Sequence, residues 1–126
     1  MDSSAIVAIA YAEPEHARLL RAMAMAATVS IPAPIWLETS IVVSKRLGPR
    51  LSTLRDGMER QFSIVQVPFV REHALTAFEA RQKFGCGNPP ARLNFANCIS
   101  YATARIAREP LLFVGDDSTK TDVEAA

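Results

Sequence analysis

"LLFVGDDSTKTD", residues 111–122, decides how this chain is read. Four apolar residues run straight into Gly115, then Asp116, Asp117 and Asp122. A short apolar run between Pro110 and Gly115 predicts a buried strand. The acids that follow are ordinary turn and cap residues, or they hold something positive.

The stretch before it is of a different kind. "LNFANCISYATARIA", 93–107, predicts a helix with Asn94 as its N-cap, and Pro110 closes that region. Further back, "TVSIP" (28–32) and "FSIVQV" (62–67) read as strands. The spacing predicts helices over 3–12 and from Pro14 onward, where Ala17, Leu20, Met23 and Ala24 share a face. "APIWLETSIVVSKRL", 33–47, is apolar nearly all round and is expected to be deeply buried, with Gly48 and Pro49 stopping it. Residues 50–61 and 71–84 are amphipathic, and "GCGNPPAR", 85–92, is a loop. Strands alternating with helices predict an α/β domain with a mostly parallel sheet. Ligands bind such sheets beyond the carboxyl ends of the strands, and Asp116 and Asp117 occupy that kind of position.

Composition narrows the function classes. A length of 126 residues fits one core, and 21% charged residues argues against disorder. A net charge of +1 gives no case for bulk polyanion binding, though Lys45, Arg46, Arg50, Arg81 and Lys83 leave room for a local basic groove. Cys86 and Cys98 have no CxxC spacing and read as reduced thiols of a cytoplasmic protein. No apolar run reaches the ~20 residues of a membrane span, and Asp2 stands where a signal peptide would carry basic residues.

Glu38 is the most informative acid. Pro34, Ile35, Ile41 and Val42 lie three and four residues away, so its carboxylate is expected to point inward and to need a cation or donors. Pairing with Lys45 or Arg46 is the plainer account. Asp2 caps the first helix, and Asn97 falls three residues after Asn94, at a capping-box position. Taken together, the oxygen-bearing residues suggest one pocket in which converging carboxylates are neutralised by a divalent cation. Hard oxygen ligands without His or Cys suit Mg²⁺ or Mn²⁺. His16 and His73 read as surface residues and not as zinc ligands.

"MDSSAIVAI", "LETSIVV", "LNFANCISYATA" and "PLLFVGDDSTKTDVE" resemble, in order and spacing over essentially the whole chain, the PIN domain and its VapC ribonuclease toxins of bacterial toxin–antitoxin pairs. The resemblance implies a single PIN-like domain over 1–126, a three-layer α/β/α fold with a mostly parallel central sheet. It implies a Mg²⁺-dependent (or Mn²⁺-dependent) endoribonuclease site at the carboxyl edge. Asp2, Glu38 and Asp117 match family acids, and Asn97 stands where the third acid is usual. Asp2, Asn97, Asp117 and Asp116 would be the metal ligands; Ser4 and Arg92 would contact substrate. The implied partners are RNA, a VapB-like antitoxin whose C-terminal segment enters the site, and a second copy in a homodimer. Asn97 departs from the pattern by lacking the charge. So does the start, where only Met1 precedes Asp2; a truncated first strand and a frayed first acid are expected. Ser118 replaces a common Phe. The alternative is a catalytically silent module that keeps the fold to dimerise and bind an antitoxin peptide.

Overall fold

Val29–Pro32 forms β1 and Ile64–Val67 forms β2. They pair in parallel, Val29 opposite Ile64 through Pro32 opposite Val67. A parallel pair needs a long crossover, and two helices supply it: α3 (Ala33–Leu47) and α4 (Arg50–Gln61). The helix α3 starts on Pro32 with a proline in its first turn, where the missing N–H does no harm. It ends at Gly48, whose φ of 53° few side-chain-bearing residues adopt. The computed structural model describes residues 1–87 and 90–126. Asn88 and Pro89 of the expected 85–92 loop lie outside the described residues.

Four more helices complete the described fold: α1 (Ser3–Ala10), α2 (His16–Met25), α5 (Arg71–Phe84) and α6 (Phe95–Ala107). The main core gathers Ile6, Leu19, Ile31, Ile35, Phe62 and Ile99 from different segments. Each such side chain contributes about 2 kcal/mol through burial. A second cluster seats α5 on α6 through Ala77, Ala80, Leu93 and Tyr101. The helix α6 is buried along most of its length, and its small residues Ala96, Ala102 and Ala104 let neighbours approach closely.

Several expectations need correction. "LLFV" forms no regular strand: Leu111 makes one isolated parallel bridge to Ala125, and the Leu112 carbonyl accepts the Asp2 N–H at 2.9 Å. On that side it meets Asp2, where the chain turns into α1 and does not continue alongside. Those residues are not frayed. The Met1 ammonium donates to the Ser30 carbonyl at 2.7 Å, and Met1 and Asp2 are both buried. The first helix stops at Ala10, and Ala12 takes a φ of 52° before Pro14. In α2 the buried residues are Leu19 and Met23, while Ala17 and Ala24 face solvent. The helix α3 buries only Ile35, Thr39 and Val43 strongly; Leu37 is 63% exposed, and Ile41 and Val42 are exposed with it. Its single buried stripe faces α1, α6 and β1, and Leu37, Ile41 and Val42 on the other side are left exposed among the described residues.

On that stripe the Thr39 hydroxyl is buried without a hydrogen-bond partner among the described residues. Thr39→Val keeps the shape and removes the stranded dipole, so we expect it to stabilise the protein by about 1 kcal/mol. Equilibrium urea unfolding reads this directly. A loss of stability would mean that the hydroxyl has a partner in solution.

Candidate active site

Asp2 is the centre of the arrangement. It is 1% exposed, yet charged by nature, so donors must meet it. Its Oδ2 accepts the Ser4 N–H at 3.0 Å and the Ser4 hydroxyl at 2.6 Å. Its Oδ1 accepts the Ser100 hydroxyl at 2.6 Å. Ser4 Oγ in turn accepts the Val114 N–H at 3.0 Å. One carboxylate thus ties together α1, α6 and the segment leading to Gly115. Ser4 is where the sequence placed it, beside Asp2, and its hydroxyl is spent on that carboxylate. Ser100 was missed. It sits one turn after Asn97 in a buried helix, and a hydroxyl in such surroundings needs a partner; that was the available signal.

Asn97 is half-buried and forms the capping box that its spacing allowed. Its N–H donates to Asn94 Oδ1 at 2.9 Å, and its Oδ1 accepts the Asn94 N–H at 3.1 Å. Asp116 and Asp117 are exposed after Gly115, whose φ is 95°. Glu38 is exposed as well, against the inward orientation expected of it. Of the apolar residues flanking it, Ile41 and Val42 are themselves exposed, while Ile35 turns into the core. Neither Lys45 nor Arg46 pairs with it; Arg46 lies over the Tyr11 ring, 4.5 Å from its centroid. Arg92 is exposed, and Arg81 donates to the Leu93 carbonyl at 3.1 Å.

Among the described residues, no group of three or more His, Cys, Asp or Glu side chains is placed to hold a metal ion. Both Asp2 oxygens already accept hydrogen bonds that neutralise its burial, and the one oxygen of Asn97 is engaged in a cap. The acids expected to converge are not grouped, and the burial of Asp2 is offset by the Ser4 and Ser100 donors. As arranged, the acids of the described residues are not gathered into one ready-made set of ligands.

His73 is buried rather than superficial: its Nδ1 accepts the Val70 N–H at 3.4 Å and its ring lies 5.6 Å from Phe69. An apolar groove of about 310 Å³ runs between α5 and α6, lined by Phe69, Phe78, Arg81, Phe95 and Ile99. Phe95, the residue after the Asn94 cap, is 82% exposed. No helix among the described residues is long and apolar enough to cross a membrane.

Asp122 is separate from these acids. Tyr101 donates to it at 2.6 Å, and Arg105 and Lys83 pair with it at 3.3 Å and 3.5 Å. The Tyr101 hydrogen bond, followed by the two cations, holds its carboxyl below the usual range. Burial and that same bond push the Tyr101 phenol up to about 12. The signs differ in consequence. Asp122 stabilises the fold at neutral pH and stops doing so as pH falls through its depressed pKa. Tyr101 stabilises it below the ordinary tyrosine value, and this is lost as pH rises toward 12. Tyr101→Phe is expected to cost about 1 kcal/mol and to raise the pKa of Asp122 toward the ordinary aspartate value. A carbon-detected NMR titration of the Asp122 carboxyl checks both directions.

Comparison with known proteins adds an independent line. The family model described as "PIN domain" matches residues 1–123. The chain is 37% identical over 125 residues to "VapC ribonuclease Mb2004c" of Mycobacterium bovis, covering 98% of this chain and 90% of that protein. It is 35% identical over 127 residues to "Ribonuclease VapC42" of Mycobacterium tuberculosis, covering 100% and 97% respectively. With "Ribonuclease VapC28" of the same organism it shares 37% identity over 127 residues, covering 100% and 96%.

Proposed function

This chain belongs to the PIN domain family, and from that premise we propose that it is an endoribonuclease of the VapC toxin type whose site is impaired by Asn97. The reading includes dependence on Mg²⁺ or Mn²⁺ for hydrolysis of RNA phosphodiesters, a VapB-like antitoxin as partner, a homodimer and a cytoplasmic setting. The observation that carries it is the near end-to-end match to proteins named VapC ribonuclease. What supports a site at this end of the fold is the buried Asp2 carboxylate, fixed on both oxygens beside the start of α6. Asp2 and Asp117 are the proposed ligands, with Asp116 beside them, and Glu38 on α3 is the proposed water-orienting acid. Ser4 positions Asp2, and Arg92 remains the proposed contact to the RNA backbone.

The impairment follows from Asn97. Asn97 puts a neutral amide where the family has a charged acid, so the chain offers a cation less charge. Asn97→Asp should raise cleavage of an end-labelled RNA in Mn²⁺ by about 100-fold, read as product bands against time. If the Asp form leaves a panel of tRNA, rRNA fragments and mRNA intact, the nuclease reading fails.

The same observation favours a second reading, a silent module. The apolar groove between α5 and α6 could seat a peptide from an antitoxin. Under that reading, the chain binds its antitoxin tightly while neither form cuts RNA.

A further inference from the structure

We infer that the slot between β1 and residues 110–112 binds the last few residues of an extended apolar peptide, whose carboxylate ends against the Met1 amino group. The inference stands apart from the endoribonuclease reading. A cavity of about 310 Å³ lies here, lined by Thr28 and Ser30 on one side and by Pro110 and Leu112 on the other. Met1 and Asp2 show how wide it is. The Met1 amino group donates to the Ser30 carbonyl at 2.7 Å, and the Asp2 N–H donates to the Leu112 carbonyl at 2.9 Å. Consecutive residues bonding in opposite directions mark a strand with a neighbour on each side. The gap between the two edges is therefore one strand wide.

An extended chain presents the same side of its backbone at every second residue. Two residues before Ser30 and Leu112 stand Thr28 and Pro110, and neither carbonyl accepts a hydrogen bond among the described residues. A peptide arriving end-on would give its last N–H to Pro110 and the one before it to Thr28. This is strand addition, in which main-chain bonds supply affinity and side-chain pockets supply selectivity. The walls set that selectivity. Ala22 and Ala26 of α2 line one face, and Ala104 and Ala107 of α6 line the other. Such small residues leave room for branched apolar side chains. An ammonium group has three donors, and Met1 spends one of them on Ser30 among the described residues; a terminal carboxylate takes the others. Glu109, exposed and also lining the cavity, favours a basic residue at the peptide's outer end. The two backbone edges favour the tail of a separate polypeptide over a lipid or a free organic acid.

The test is fluorescence anisotropy with the full chain and a fluorescein-labelled tetrapeptide, Lys-Val-Ile-Val, ending in a free carboxylate. The controls are the same peptide with an amidated end and a glycine–serine tetrapeptide with a free carboxylate. The acid form is expected to bind at least about tenfold more tightly than the amide, and the glycine–serine peptide is expected not to bind. Ala26→Trp and Ala107→Trp each place a ring in the slot from an exposed position on opposite walls. Each should abolish binding while far-ultraviolet circular dichroism stays unchanged. Acid and amide peptides of equal affinity overturn the inference, as does a parent chain that binds neither. Full binding by both folded tryptophan variants overturns it too, because the peptide then sits elsewhere. RNA cleavage by Asn97→Asp is read separately, so this inference and the nuclease reading fail independently.

Discussion

Asp2→Ala is expected to destabilise the protein by about 3 kcal/mol, the sum of a lost helix cap and of buried donors left without an acceptor. The Ser100 hydroxyl would lose its 2.6 Å partner inside a buried helix, and the Ser4 N–H and hydroxyl would lose theirs. With Ser4 released, its bond from Val114 slackens, and the segment carrying Gly115 to Asp117 loses a tie to α1. For a domain of this size the melting temperature should fall by roughly 12 °C, read by circular dichroism. Asp2→Asn keeps one acceptor oxygen and should lose less than half as much. If Asp2→Ala melts with the parent, the carboxylate is not a structural hub, and its burial then needs another neutralising group. This matters for function. Loss of RNA cleavage in an Asp2 variant assigns a chemical role only when the variant is shown to remain folded.

Ile35→Ala should be the other large loss, about 3–4 kcal/mol. Ile35 is fully buried in the first turn of α3 and belongs to the main core, where removal of its outer carbons leaves a cavity that packed neighbours cannot fill. The comparison is Ile41→Ala on the opposite side of the same helix, where the side chain is 55% exposed and the loss should stay below about 0.5 kcal/mol. Urea midpoints with unchanged slopes would establish the contrast. Equal losses at a protein concentration that gives dimers, and unequal ones on dilution, would mean that a second copy covers the Leu37–Ile41–Val42 face in solution.

That contrast also explains what the sequence could and could not convey. The α/β order was legible because proline, glycine and short β-branched runs punctuate the chain. The capping box at Asn94 and Asn97 was legible because a cap depends only on local spacing. The orientation of Glu38 was not. Its neighbours on the helix are apolar, and apolarity marks a buried face only when something packs there; in α3 the packing falls on Ile35, Thr39 and Val43, and leaves Ile41 and Val42 beside Glu38 in solvent. Asp2 showed the opposite error. It was expected on a frayed end and is buried instead, because the serine that helps fix it there lies 98 residues away along the chain. Long-range pairs of this kind leave no periodic trace. "LLFV" was correctly placed as apolar and buried, but strand regularity depends on the segments it meets as well as on its own residues, and Leu111 makes only one isolated bridge, to Ala125.

The tie between Tyr101, Arg105, Lys83 and Asp122 has a further consequence for ionic strength. Its cation pairs are largely open to solvent, so added salt screens them. The hub at Asp2 rests on short hydrogen bonds inside the protein and carries no exposed ion pair. Concentrated electrolyte should therefore speed amide exchange in the last few residues around the Leu111–Ala125 bridge while the amide of Ser4 stays protected. The tail would loosen and the centre would hold.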